Sequence, residues 1–89
     1  MPIKPRVEIV FKRGKPVSAF LHLRENPTGP RKTIAIRPPM TAHYDSVGQA
    51  VGLEIPLPTT VSTAAINEAL HELGAEEVSD AELLGLRMV

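Results

Sequence analysis

The chain has 89 residues, no cysteine, no tryptophan and a formal net charge of zero. That length allows one domain with a modest core, and the missing cysteines exclude a disulfide framework, a thiolate nucleophile and a cysteine-based zinc site. No apolar leader opens the chain and no apolar run is long enough to span a bilayer, so a soluble, cytoplasmic protein without membrane attachment is expected.

Residues 6 to 12 alternate, with Val7, Ile9 and Phe11 on one face, which predicts a first strand. The turn Arg13-Gly14-Lys15-Pro16 leads into a second strand from Val17 to Arg24. Glu25-Asn26-Pro27-Thr28-Gly29-Pro30 is a breaker cluster. A short third strand follows over Lys32 to Arg37, with Ile34 and Ile36 inward, and Pro38-Pro39 bends the chain into a closing hairpin.

That hairpin carries the densest local information. Asp45 and Gly48 occupy the first and fourth positions of a type I turn, which pairs Tyr44 with Gln49. The register then places Ala42 and Tyr44 with Val51, Leu53 and Ile55, and puts His43, Ala50, Gly52 and Glu54 on the opposite face. A mid-strand glycine weakens a strand, so Gly52 is read as the place where a neighbouring group approaches closely. Pro56 and Pro58 lack the N–H that would continue the ladder.

The pattern Tyr44-Asp45, Gly48 and Val51-Gly52-Leu53-Glu54-Ile55 resembles the closing hairpin of a small prokaryotic family, domain of unknown function 2283. The similarity runs from about Val7 to Ile55 and includes the second-strand run Ala19-Phe20-Leu21-His22-Leu23. It departs from that family at Phe11-Lys12, where a Tyr-Asp pair is usual, and in the proline-rich segment after Ile55, where Asp-Ala-Ser is usual. The resemblance brings no established activity; it implies an antitoxin-like half of a two-protein module.

After Ile55 the period becomes helical, with Ile66, Ala69, Leu70 and Leu73 on one stripe, Ser62 as cap, Val61 as staple and Gly74 as the left-handed stop. Ser79-Asp80-Ala81-Glu82 is a capping box for a second helix, with Val78 and Leu83 as its staple. The second helix, through Leu83, Leu84 and Leu86, is expected to dock on the domain or on a second copy. Pairing strands with their neighbours in sequence gives a small α+β domain. It is an antiparallel β-meander of about five strands followed by two C-terminal helices, the first packing on the sheet. Residues 6–55 form the sheet region and 61–88 the helical region of a single domain covering 1–89.

Zero net charge conceals a division along the chain. Residues 1–40 hold nine basic side chains against Glu8 and Glu25, whereas 41–89 hold Arg87 against eight acids. Either the acidic helices lie over the basic strands and neutralise them, or one half is a recognition surface. The candidate binding residues are therefore Lys12, Arg13, Lys15, Arg24, Arg31 and Lys32 in the first half and Glu68, Glu72, Glu76 and Glu77 in the second.

Signals for chemistry are thin. His22, His43 and His71 have no metal-ligand spacing, no glycine-rich phosphate loop leads into a helix, and no cofactor is expected. His43 and Glu54 form a candidate polar cluster across the hairpin, read as either a structural ion pair or an acid–base couple. Phe11, Phe20 and Tyr44 are the only aromatics, and at least two are expected in the core, which leaves little for base stacking. The favoured expectation is a non-enzymatic protein-binding or regulatory module, with a protein partner or self-association as a homodimer. A nucleic-acid-binding regulator using the basic half, and an enzyme using His43 and Glu54, are the alternatives.

Overall fold

The structure is a computed structural model that describes residues 3–25 and 29–88; the centre of the breaker cluster, Asn26 to Thr28, lies outside the described residues. Five strands form one antiparallel sheet: β1 (Arg6–Lys12), β2 (Lys15–His22), β3 (Lys32–Ala35), β4 (Thr41–Tyr44) and β5 (Ala50–Pro56). Two helices follow, α1 (Thr63–Glu72) and the short α2 (Leu84–Arg87). The expected α+β class and the succession of strands and helices hold.

One pairing differs from the neighbour-in-sequence scheme. The order is β1-β2-β5-β4-β3, so β2 takes β5 rather than β3 as its second neighbour. The sheet is thus two meander pieces, the β1–β2 hairpin and the β3–β4–β5 ladder, joined along β2 and β5. The chemistry of the strands explains the choice. β2 carries Ala19 and Leu21 and β5 carries Leu53 and Ile55, all fully buried, whereas every residue of β3 is exposed. Placing the two most apolar strands at the centre buries both under the helix and leaves β1 and β3 as edges.

Ile66, Ala69 and Leu70 of α1 close over Ala19, Leu21, Leu53 and Ile55 in one core, so the first helix does pack on the sheet. The ends of α1 form as the sequence indicates. Ser62 Oγ accepts from the Ala65 N–H at 3.1 Å, and beyond the helix Gly74 has φ +77° while the Ala75 N–H returns to the Leu70 carbonyl at 2.9 Å. The capping box closes in both directions, Glu82 N–H to Ser79 Oγ and Ser79 N–H to Glu82 Oε1, each at 3.1 Å. The box closes the turn over residues 79–83 and does not cap α2, which starts at Leu84 with Leu83 as its N-cap and no side-chain cap. Leu83 and Leu86 are buried in the core and Leu84 is exposed, so α2 docks on its own domain.

Several facings differ from expectation. Register shifts between His43 and Tyr44 along the β4–β5 pair, so Tyr44 faces Ala50 rather than Gln49, and Gly52 rather than Ala50 faces His43. This bulge turns Ala50 toward the core instead of the open face. Ile36 packs against the core as expected, but Ile34 is 56 % exposed because β3 is a short edge beyond the helix. A second register shift, between Val10 and Phe11, sets Phe11 opposite Pro16 at the hairpin end, and Phe11 is 59 % exposed. Of the three aromatics only Phe20 is buried, and it is buried on the face away from α1.

Candidate functional site

The sheet face opposite α1 is organised around Gly52. Cross-strand pairing places His22 of β2 and His43 of β4 on either side of it, and puts Phe20 opposite Glu54 two pairs along, the next pair on the same face. With no side chain on Gly52, the Phe20 ring lies over its backbone between the two imidazoles, with centroids 4.6 Å from His22 and 5.0 Å from His43. Arg31 reaches over the same ring, its guanidinium carbon 5.9 Å from the centroid.

Each imidazole in this group is held by a different carboxylate. His43 Nε2 lies 2.8 Å from Glu54 Oε1, and His22 Nε2 lies 2.6 Å from Glu8 Oε1 on β1. The third histidine, His71 on α1, takes Glu77 at 3.0 Å. The structure therefore brings together the His43 and Glu54 that the hairpin register suggested, and adds His22, Glu8 and Phe20, which sequence reading left apart. Glu8 and His22 are diagonal neighbours on β1 and β2, a relation visible only once that register is known. Among the described residues no three ligating side chains converge to hold a metal. Open hollows of about 400 and 450 Å³ lie elsewhere, one lined by Ile3, Leu23, Arg24, Glu25 and Gln49 and the other by residues of α1 and Glu77. Neither takes in His43 or Glu54.

The basic candidates divide into two groups. Lys12, Arg13 and Lys15 sit at the β1–β2 turn, where Arg13 (φ +54°) and Gly14 (φ +76°) make a two-residue hairpin loop. Arg24, Arg31 and Lys32 belong to the other end of the sheet, since β2 alone spans about 25 Å at strand rise. The acidic candidates are only partly used within the chain. Arg37 pairs with Glu72 at 2.9 Å and with Glu68 at 3.6 Å, and Lys4 pairs with Glu82 at 2.9 Å. Glu82, held by that lysine and by the Ser79 N–H, has its carboxyl below the usual range. The helices thus neutralise the strands at these points, while among the described residues Lys12, Arg13, Lys15 and Lys32 enter no ion pair.

The hairpin end also carries exposed apolar surface, which includes the Phe11 that the sequence reading placed on one face with Val7 and Ile9. Val10 is 37 % and Phe11 59 % exposed at one end of the edge strand β1, Val17 is 40 % exposed beside them on β2, and Lys12, Arg13 and Lys15 frame the group. The signal for this was the basic turn directly after Phe11, since a strand end flanked by charge on both arms is poorly placed to be covered. No family model, curated protein or solved structure matches this chain.

Proposed function

We propose that the chain is a non-enzymatic protein-binding module that acts through the free edge of β1 and the tip of the β1–β2 hairpin. The observation that carries this reading is the exposure of Val10 and Phe11 on the edge strand β1, with Val17 exposed beside them on β2 and Lys12, Arg13 and Lys15 at the adjoining turn. Such an edge offers backbone hydrogen bonds to an added strand, Phe11 offers an anchor, and the lysines and arginine favour an acidic contact. The antitoxin-like role implied by the closing hairpin is one form such a module takes. His43 and Glu54 serve this reading as structure: their bonding atoms engage each other and steady the open face.

The test is affinity capture from a native-cell extract with the tagged chain and with its Phe11→Ser variant, after circular dichroism has shown that both fold. A stoichiometric protein, a second copy of the chain included, is expected on the parent and is reduced roughly tenfold on the variant, as for loss of an aromatic anchor. Proteins retained equally by both would overturn the reading. So would retention of nucleic acid alone, released steeply by salt.

A further inference from the structure

We infer that the partner at the β1 edge is a second copy of this chain, joined β1 to β1, antiparallel, about a two-fold axis through Val10. The inference rests on the protein-binding reading above and names its partner. In a symmetric antiparallel pair, opposite residues share a face, so a residue must sit on the axis and the numbers of opposed residues have an even sum. This leaves few registers for Arg6–Lys12. An axis on Glu8 opposes two carboxylates. An axis on Ile9 opposes Arg6 to Lys12, and one on Phe11 opposes Val10 to Lys12. An axis on Val7 pairs Arg6 with Glu8, but sets Ile9 against Pro5, which has no N–H, and leaves Val10 and Phe11 in water.

The axis on Val10 opposes residues 8–12 to the same segment of the second copy and leaves Arg6 and Val7 beyond the end of the partner strand. Glu8 faces Lys12 of the second copy twice, Ile9 faces Phe11 twice, and the two Val10 side chains face each other. Val10 and Phe11, 37 % and 59 % exposed, gain apolar partners, and Lys12, free of any ion pair among the described residues, gains a carboxylate. Glu8 has one oxygen on His22 and keeps the other for that lysine. The edge has no proline within its seven residues, whereas the opposite edge β3 has four residues and runs into Pro38-Pro39. The product is one continuous sheet of two chains with both helical layers on the same side.

The test measures mass by light scattering and sedimentation from micromolar to millimolar concentration. The parent chain is expected to be a dimer. Lys12→Glu, which breaks no contact within the chain, is expected to raise the dissociation constant roughly tenfold or more, because it sets like charges opposite each other twice. Glu8→Lys is expected to do the same, and an equimolar mixture of the two variants to recover the dimer as a mixed species, since every charge pair is then restored. A monomeric parent, or a dimer indifferent to both substitutions and to mixing, overturns the inference. If the parent is monomeric yet a different protein is captured in a Phe11-dependent manner, the second-copy partner falls and the protein-binding reading stands.

Discussion

Gly52 shows how much one missing side chain can organise. A Cβ built there would lie 2.2 Å from two Phe20 ring atoms, and the ring has little room to retreat because His22, His43 and Arg31 surround it. Gly52→Ala is therefore expected to destabilise the fold by about 1–3 kcal/mol in urea unfolding, as overpacking does. In a Phe20→Ala background the same change is expected to be neutral or stabilising, because alanine is the better strand residue once the clash is gone. Equal effects in the two backgrounds would show that the ring contact does not set the cost. The close approach at Gly52 was legible from its mid-strand position, but the identity of the approaching group was not. Phe20 lies 32 positions away, and its arrival depends on β2 choosing β5. Asp45 was legible in full: its Oδ1 accepts from Val47 and Gln49 N–H at 3.1 and 2.9 Å, as its turn position requires. The bulge beside it was not, since no residue type at Ala50 or Val51 demands one.

Among the elements, the caps of α1 were readable because capping chemistry is local, spanning three or four residues in sequence. What fastens the C-terminal segment to α1 is not local. The Asn67 side chain accepts from the Val78 N–H at 2.8 Å and donates to the Val78 carbonyl at 3.0 Å, pairing with that backbone as a strand would. Val78 is 4 % exposed, so removing the amide leaves a donor and an acceptor with poor access to water. Asn67→Ala is expected to cost about 1–3 kcal/mol and to speed exchange of the Val78 amide selectively. An unchanged exchange rate would mean that the segment is held by Val78, Leu83 and Leu86 alone. On the sheet, hydrophobic periodicity identified all five strands but misjudged Phe11 and Ile34, because alternation tells which face a residue takes and not whether anything covers that face.

At the scale of the molecule, stability is graded from the centre of the sheet outward. β2 and β5 are hydrogen-bonded on both sides and packed beneath α1, whereas β3 is a four-residue edge with every residue exposed. In amide hydrogen exchange, protection is expected to be greatest in β2 and β5 and lowest in β3, the latter opening without global unfolding. Equal protection across the sheet would point to a cover over β3. The sequence expresses the inner strands through composition, but it encodes their adjacency only through the collective burial of residues far apart. The start of the chain is tied late as well: Ile3 bridges to Ala75, the Glu76 N–H donates to the Ile3 carbonyl at 2.9 Å, and Lys4 reaches Glu82. This wiring orders events during synthesis. A growing chain can close the β1–β2 hairpin early, yet Ala19, Leu21 and Leu23 have no central neighbour until β5 emerges and no cover until α1 follows. The β1–β2 hairpin must therefore wait, apolar face bare, for β5 and α1, and any cellular factor that shields nascent chains would meet this protein on that face.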